Sequence, residues 1–431
     1  MGGVYQYSQN ILVALSRLYS ERLADEFTFL ARTEADRCFL KKNTYPLNQV
    51  WFPRGLANRG FDRVASLLGD GLLREALQKA VYKITPFTIF DSDRIRQQPK
   101  LLQWLKRQGI DWVVYTSPNP MSFEVGFPYV MPVHDLQHRL QPEFPEVSAA
   151  GRLEWREYLL RNGIRHSTLI LADSETGKED ILELYGVYGI TPDRVKVFKF
   201  SPASCLSPDV SDAERARVRH VYRLPERYMF YPAQFWPHKN HVRIVRALAR
   251  LKEEQRSEIH LVLCGSYSGA IRKRTFHEVM ALADKLKVSR QIHYLGYVSG
   301  DDMSGLYAEA TALVMPTFFG PTCIPILEAW LFGCPVLTSD IRGIREQVGD
   351  TAILVDPRSE EAIAEGMYRL WGDETLCKEL GQRGFRRLSG YQQEDFSKGL
   401  GDIIQETNER VREGRGGVAI SRQSRSKVMG S

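Results

Sequence analysis

At 431 residues, with 43% hydrophobic and 26% charged residues, the chain is too long for one ordinary core and too apolar to be disordered throughout, so two domains of about 150 to 200 residues each are expected. The six cysteines (Cys38, Cys205, Cys264, Cys323, Cys334 and Cys377) form no C-x-x-C pair and no disulfide framework, which argues against a zinc knuckle and for a reducing compartment. The net charge of +6 suits a partner bearing phosphates, whether nucleotide, lipid headgroup or nucleic acid, without choosing among them.

Met1-Gly2-Gly3-Val4-Tyr5 carries neither the basic nor the apolar region of a signal peptide, which favours the cytoplasm. Gly2-Gly3 reads as a glycine-rich loop, followed at once by a helical pattern of Tyr7, Ile11, Leu12, Leu15 and Leu18. In a doubly wound domain an apolar strand feeds such a loop, so a central first strand is expected upstream of Met1. From Cys38 to Lys106 basic amphipathic pieces (Leu72 to Lys83, Lys100 to Arg107) mix with aromatic residues. They fit ordinary helices on the first sheet or a flexible insertion facing an acceptor, the former being the simpler. Asp91-Ser92-Asp93 has the spacing of a metal-binding D-x-D but follows no strand end, and is read as a cap or turn.

Trp112 to Tyr115, Tyr129 to Val133, Thr168 to Ala172 and Val195 to Phe198 are predicted strands of a first half. Tyr228 to Tyr231, Ile259 to Cys264, Ile292 to Leu295, Ala312 to Met315, Pro335 to Thr338 and Ala352 to Val355 are those of a second. Near-continuous apolar strands alternating with amphipathic helices indicate α/β domains with parallel sheets covered on both faces. The turn formers from Ser201 to Pro208 mark a boundary, giving an N-terminal domain over 1–204 and a second over 205–385. A helix within 386–412 follows, and the basic, core-poor tail 413–431 is expected to be disordered. Thr311 to Ser339 holds a single charge, Glu328, but Pro316, Pro321, Pro325 and Pro335 interrupt it too often for a membrane span, so it is read as the buried heart of a domain.

Three segments carry candidate chemistry. Tyr231-Pro232-Ala233-Gln234-Phe235-Trp236-Pro237-His238-Lys239-Asn240-His241 joins a strand to a helix, at the carboxyl edge where doubly wound sheets bind ligands. There Lys239 would meet a phosphate beside free helix-start amides, although a solvated turn lysine satisfies the same pattern. In Pro316 to Trp330, Pro325 suits a first helical turn, so the amides of Thr322 to Ile326 would cradle an anion. Glu328, one turn in, is costly to bury unless hydrogen-bonded: a ribose diol offers two donors, and a helix-dipole contact is the structural alternative. Val133-His134-Asp135-Leu136-Gln137-His138 follows a strand; without a third ligand nearby, its two histidines are read as no metal site, and His134 as a hydrogen-bonding partner for a sugar hydroxyl or a core histidine.

These segments, together with Ala172-Asp173-Ser174-Glu175-Thr176 and Cys264-Gly265-Ser266 in order, resemble family 4 of the glycosyltransferases, from Gly2 to about Ile404 and most densely from Tyr228 to Pro357. The resemblance implies the GT-B fold, two facing Rossmann-like domains, and retaining, metal-independent transfer of a hexose such as mannose from a GDP- or UDP-sugar, with no cofactor. It implies Gly2, Gly3 and His134 at the donor sugar, Lys239 at the diphosphate with Gln234, His238 and Asn240 beside it, and Glu328 on the ribose. Gly265, Tyr297, Val298, Gly320, Thr322, Cys323 and Ile324 complete the implied site, with the base against Leu295 to Ser299. It further implies attack by the acceptor hydroxyl from the face the diphosphate leaves, the phosphate taking its proton, and a glycan or lipid-linked acceptor in cell-surface polysaccharide assembly. The last helix, Gln393 to Arg412, would cross back to the first domain.

Two departures stand out. Gly320 occupies the position of the earlier glutamate of the E-x7-E motif, and Ala233 and Gln234 occupy that of the arginine before the donor lysine. They resemble a subset of the family with an altered motif, and they leave a non-catalytic nucleotide-sugar binder of the same fold as the alternative. A nicotinamide-dependent oxidoreductase ranks low, since no G-x-G-x-x-G follows a strand. The basic residues are too dispersed for nucleic acid, while the basic tail suits peripheral contact with anionic lipid at the inner face of the membrane.

Overall fold

The computed structural model describes residues 3–20, 26–31, 48–51, 95, 97–255, 257–391 and 393–414. Gly2, Cys38, the Leu72 to Lys83 piece, Asp91-Ser92-Asp93 and the tail beyond Gly414 lie outside the described residues.

Helix α1 (Gly3–Ser20) buries Tyr7, Ile11, Ala14 and Leu18, the i, i+4, i+7, i+11 stripe of an amphipathic helix. Strands β1 (Thr28–Ala31) and β2 (Asn48–Trp51) form a separate parallel pair that the sequence pattern did not reveal. Helix α2 (Pro99–Arg107) then buries Leu101 and Leu105 against Val125. Strands β3 (Val113–Val114), β4 (Tyr129–Val133), β5 (Leu169–Ala172) and β6 (Val195–Val197) make a four-stranded parallel sheet in chain order.

Strand alternation sorts the side chains of this sheet into two layers. Tyr129, Met131, Val133, Ile170 and Ala172 pack with Tyr158, Leu160 and Ile164 of α3 (Arg152–His166) and Ile181 and Tyr185 of α4 (Glu175–Tyr185). Val130, Leu169 and Leu171, one residue out of step, pack instead with α1 and with Phe396, Leu400, Ile403 and Ile404 of the C-terminal helix, Gln393–Arg412. The last described helix therefore covers the first sheet, not the second. Phe396 lies 4.5 Å from Phe198, ring centre to ring centre, and polar contacts fix the helix register: Trp112 Nε1 donates to Asn408 Oδ1 at 2.7 Å, and Arg410 and Lys196 pair with Asp193 and Glu406, each at 2.8 Å.

The second sheet is built from β7 (Met229–Pro232), β8 (Leu261–Cys264), β9 (Ile292–Tyr294), β10 (Ala312–Met315), β11 (Val336–Ser339) and β12 (Ala352–Val355). It is preceded by α5 (Asp212–Tyr222), whose start carries a reciprocal Ser211 and Glu214 capping box. Helices α6 (His241–Glu254), α7 (Ala270–Lys285), α8 (Gly300–Glu309), α9 (Ile324–Leu331), α10 (Arg342–Val348), α11 (Glu360–Gly372) and α12 (Glu374–Ser389) connect and cover the strands. All its pairings are parallel, in the order β9-β8-β7-β10-β11-β12. The chain thus starts at the centre, builds outward to β9, and returns to the other side of β7. Strand order reverses between β7 and β10, the switch point at which loops diverge and open sheets hold ligands. The stretch from Thr311 to Ser339 is the core of this domain, and no helix among the described residues is long and apolar enough to cross a membrane.

Replacing fully buried Phe396 with alanine is expected to destabilise the protein by about 3–5 kcal/mol, through lost apolar burial and the cavity left behind. Urea denaturation reads the change, and exposed Lys398→Ala on the same helix should move stability by less than about 0.5 kcal/mol.

Candidate functional site

The loops after β7 and β10 flank the switch point and are stitched together by their own polar groups. Asn240 adopts a left-handed conformation (φ 61°) at the start of α6, which aims its buried amide at two carbonyls, Pro316 O at 2.8 Å and Pro357 O at 2.7 Å. Phe318 N donates to His238 O at 2.8 Å, and Tyr231 Oη donates to Lys239 O at 2.8 Å. The backbone around Lys239 is therefore held from three sides. Among the described residues its ammonium has no hydrogen-bond or ion-pair partner. Burial raises the Cys323 thiol pKa and the charge of Lys239 opposes the rise, so the lysine field reaches the turn ahead of Glu328. Burial lowers the pKa of His241 to about 3, and Lys239 adds to that shift.

The anion cradle is narrower than the sequence suggests. Cys323 N–H is already taken by Gln347 Oε1 at 2.8 Å, while Gln347 Nε2 returns a bond to Cys323 O at 2.9 Å, and Ile326 N–H turns inward to Cys323 O. The amides of Thr322 and Ile324 have no partner among the described residues. The correction arises because a glutamine on α10 competes for the helix start, a contact that the local pattern does not encode.

Glu328 is 3% exposed and fully hydrogen-bonded by the protein: Tyr307 Oη donates to Oε2 at 2.7 Å and Gln6 Nε2 to Oε1 at 3.0 Å. Burial raises its pKa, and these two donors act against the rise. Gln6 lies on α1, so this bond joins the two sheets' domains. One turn earlier, Gly3 abuts α9 so closely that a Cβ there would sit 3.3 Å from Ile324 Cδ1. One residue later, Tyr7 presents its ring edge-on to His134, with centres 5.0 Å apart. His134 sits at the end of β4, with Nε2 3.4 Å from Thr116 O; burial lowers its pKa against smaller opposing pulls from Asp135 and that carbonyl, so the ring is neutral near pH 7. Gly3, His134, Lys239, Thr322, Ile324 and Glu328 thus all belong to the meeting of the two sheets' carboxyl ends. His138, by contrast, points into the first core, where Nε2 lies 3.2 Å from both Glu157 and the Tyr185 hydroxyl.

Further contacts close the domains on each other. His238 Nδ1 meets Glu146 Oε1 at 2.6 Å, Gln141 Nε2 donates to Phe318 O at 2.9 Å, and Thr322 Oγ1 donates to Asp173 Oδ2 at 2.6 Å. Glu346 on α10 accepts from the backbone of Glu175 and Thr176, both at 2.8 Å, and so caps the start of α4 from the opposite domain. Arg342, on the same helix, pairs with Asp180. Gln6, Glu146, Tyr307, Arg342, Glu346 and Gln347 were not singled out from the sequence, and Asp173 entered only within the Ala172 to Thr176 segment. Only the carboxylate at Glu328 gave a hint, and the donors expected for it were a ribose diol and not Tyr307 and Gln6.

On the far side of β7 the outcome is mixed. Gln234 Oε1 accepts from Trp236 Nε1 at 3.0 Å and from Arg272 Nη1 at 2.8 Å. Gly265, at φ 138°, lies so close to the preceding loop that a Cβ would meet Ala233 O at 2.4 Å, so only glycine fits. Tyr297 is 61% exposed, while the side chain of Val298 turns into the core. Gly320 has φ 146° and packs on Cys323, with no carboxylate in its place.

With this geometry in hand, comparison with known proteins is informative. Residues 212–387 match the family described as "Glycosyl transferases group 1". In overall structure the chain is similar to HepE from Anabaena, solved with UDP and glucose (TM-score 0.65, 15% identity, 94% of this chain and 96% of that one), and to WaaG, a glycosyltransferase of lipopolysaccharide biosynthesis (TM-score 0.55, 18% identity, 70% and 80%). The fold is GT-B. In sequence the chain is 27% identical over 316 residues to the O-antigen chain mannosyltransferase B of Escherichia coli, spanning 70% of this chain and 79% of that protein. It is also 27% identical over 247 residues to the D-inositol 3-phosphate glycosyltransferase of Salinispora arenicola, spanning 55% of this chain and about half, 54%, of that protein. Together these likenesses support a glycosyltransferase.

Two outcomes test the interdomain contacts. Glu346→Ala removes a charged cap, worth about 1.5–3 kcal/mol for such hydrogen bonds, and is expected to speed hydrogen exchange at the Glu175 and Thr176 amides at least about tenfold. Asp173 is the second: burial raises its pKa to about 7 against hydrogen bonds from Thr322 and Ser174. The unfolded chain releases that proton near 4, so the folded state binds more protons between about pH 4 and 7, and this group's contribution to stability falls as pH rises through that window. Asp173→Asn should abolish the slope, so urea titrations should find the variant gaining on the parent from about pH 5 to about pH 8.

Proposed function

We propose that the chain is a retaining, metal-independent hexosyltransferase of glycosyltransferase family 4. In this reading it moves mannose or a similar hexose from a GDP- or UDP-sugar to a glycan or lipid-linked acceptor in cell-surface polysaccharide assembly, at the cytoplasmic face of the membrane. The observation that carries the reading is the convergence, at the β7 and β10 switch point, of the Lys239 loop with the amides of Thr322 and Ile324. Mannose and the polysaccharide setting are supported by the name of the Escherichia coli relative, and a uridine donor by the ligands in the HepE structure.

Residues 1–204 then form the acceptor-side unit and 205–385 the donor-side unit, and 386–412 carry the crossing helix, Gln393–Arg412. As the bond between the anomeric carbon and the diphosphate breaks, Lys239 and the two amides stabilise the departing charge. The acceptor oxygen forms its bond on the same face, and its proton passes to a phosphate oxygen. Neutral His134 hydrogen-bonds a sugar hydroxyl, and Glu328 exchanges Gln6 for a ribose hydroxyl when the nucleotide enters. That exchange keeps a buried carboxylate hydrogen-bonded in both states.

The alternative, a non-catalytic binder, draws on Gly320 and Gln234 at positions where charged residues were expected and on the internal satisfaction of Glu328. One assay separates them. Purified protein is incubated with GDP-mannose, UDP-glucose and related donors with and without EDTA, and nucleoside diphosphate release is followed. Release that EDTA leaves unchanged, with product of the donor's anomeric configuration by NMR, is the expected result; Lys239→Ala should cut kcat on the order of 100- to 1000-fold, as for loss of a transition-state charge partner. Thermal stabilisation by a donor without release would establish the binder, and neither release nor stabilisation would remove both readings.

A further inference from the structure

We infer that Gln347 is a positioning residue of the anion cradle, and that α10 ties the two open amides of the cradle to the docking of the first domain. The inference rests on the donor-site reading above. An amide N–H points opposite to the carbonyl of its own planar trans peptide, so whatever holds the carbonyl aims the N–H. The Ile324 amide shares its peptide with Cys323 O, which accepts from Gln347 Nε2 at 2.9 Å. The Thr322 amide shares its peptide with Pro321 O, against which Gly343 packs so closely that a Cβ would lie 2.5 Å away. Both carbonyls thus face α10, and both open amides face away from it. Between them, Gln347 Oε1 takes the Cys323 N–H at 2.8 Å, so one side chain grips that residue on both sides.

The helix start does not supply this order by itself. Cys323 stands at the N-cap position of α9 and makes no side-chain cap bond, and Pro325 in the first turn has no N–H. A side-chain amide matches a backbone residue donor for acceptor, and Gln347 brings one from a neighbouring helix. The same helix serves the first domain. Glu346 accepts from the Glu175 and Thr176 amides, each at 2.8 Å, and Arg342 pairs with Asp180. Residues four apart share a helix face, so Arg342 and Glu346 meet the first domain while Gly343 and Gln347, about 100° round, meet the cradle. From α12, Arg387 donates to Gln347 O at 2.7 Å and to Glu346 O at 2.9 Å, which holds the last turn of α10 in place. Undocking the first domain removes the Arg342 and Glu346 contacts, and with them part of the restraint on the two amides.

Isothermal titration of Gln347→Met, Glu346→Ala and the double variant with UDP and GDP, and with UMP and GMP, tests the assignment. Methionine keeps the length of the side chain and removes both bonds to Cys323. For whichever base binds, Gln347→Met should lose on the order of threefold to tenfold in diphosphate affinity, as for one net hydrogen bond, and less in monophosphate affinity. Amide NMR reads the orientation itself: the Thr322 and Ile324 resonances should shift when the diphosphate is added to the parent, and shift much less in Gln347→Met. Glu346→Ala should also lose diphosphate affinity, and the double variant should lose less than the two single losses combined, because both act through one helix. Equal losses for mono- and diphosphate, with the two amide shifts unaltered, would make Gln347 a prop for the fold and overturn the inference. Unchanged affinity in Glu346→Ala, or additive losses in the double variant, would overturn the tie to the first domain. Unchanged diphosphate affinity in Gln347→Met, with affinity lost in Lys239→Ala, would overturn this inference alone. Absence of diphosphate binding by the parent protein would overturn the donor-site reading with it.

Discussion

A single buried carboxylate organises the site. Glu328 is the only charge in the apolar stretch that forms the heart of the second domain, and desolvation makes an unpartnered charge there too costly to keep. Its two hydrogen bonds come from different places: Tyr307, on the helix that precedes β10, and Gln6, on the first helix of the chain. The second bond sets α1 against the start of α9, brings Gly3 onto Ile324, and leaves Tyr7 to hold His134. A requirement of local electrostatics thereby fixes the relation between the two sheets at the point where their carboxyl ends meet.

Around that point the contacts fall into two classes. Those within the second domain centre on Asn240, whose buried amide donates to Pro316 O and Pro357 O, and on Gln347, which exchanges two bonds with the Cys323 backbone. Those between domains join groups from opposite sides, Glu146 with His238, Asp173 with Thr322 and Glu346 with two α4 amides, and the Glu146 and Asp173 carboxylates are largely shielded from solvent. The C-terminal helix reinforces the arrangement by packing its apolar face on the first sheet after the chain has completed the second.

The strands of both principal sheets were legible because parallel strands covered on both faces are short, continuous apolar runs, as in Leu169 to Ala172 and Ala312 to Met315. The pair formed by Thr28–Ala31 and Asn48–Trp51 was not, since TFLA and NQVW are too short and mixed to stand out from their surroundings. Lys239 and Glu328 could be picked out, one by its place after a strand and the other by its isolation among apolar residues. Their partners could not. Gln6 and Glu328 are separated by 322 positions, and Arg272 and Gln234 by 38, and no periodicity links such pairs.

By itself, the sequence determined what short-range physics controls: which segments are strands and helices, that the sheets are parallel, and that one carboxylate must find donors in an apolar setting. Tertiary structure decided which groups answer that demand, that Gln347 takes an amide expected to be open, that Val298 faces the core, and that a guanidinium from α7 stands at Gln234. The division follows from the range of the forces. Backbone hydrogen bonding and apolar periodicity are satisfied among near neighbours and leave a pattern in the sequence. Polar partners are chosen by proximity in space, which only the closed fold defines.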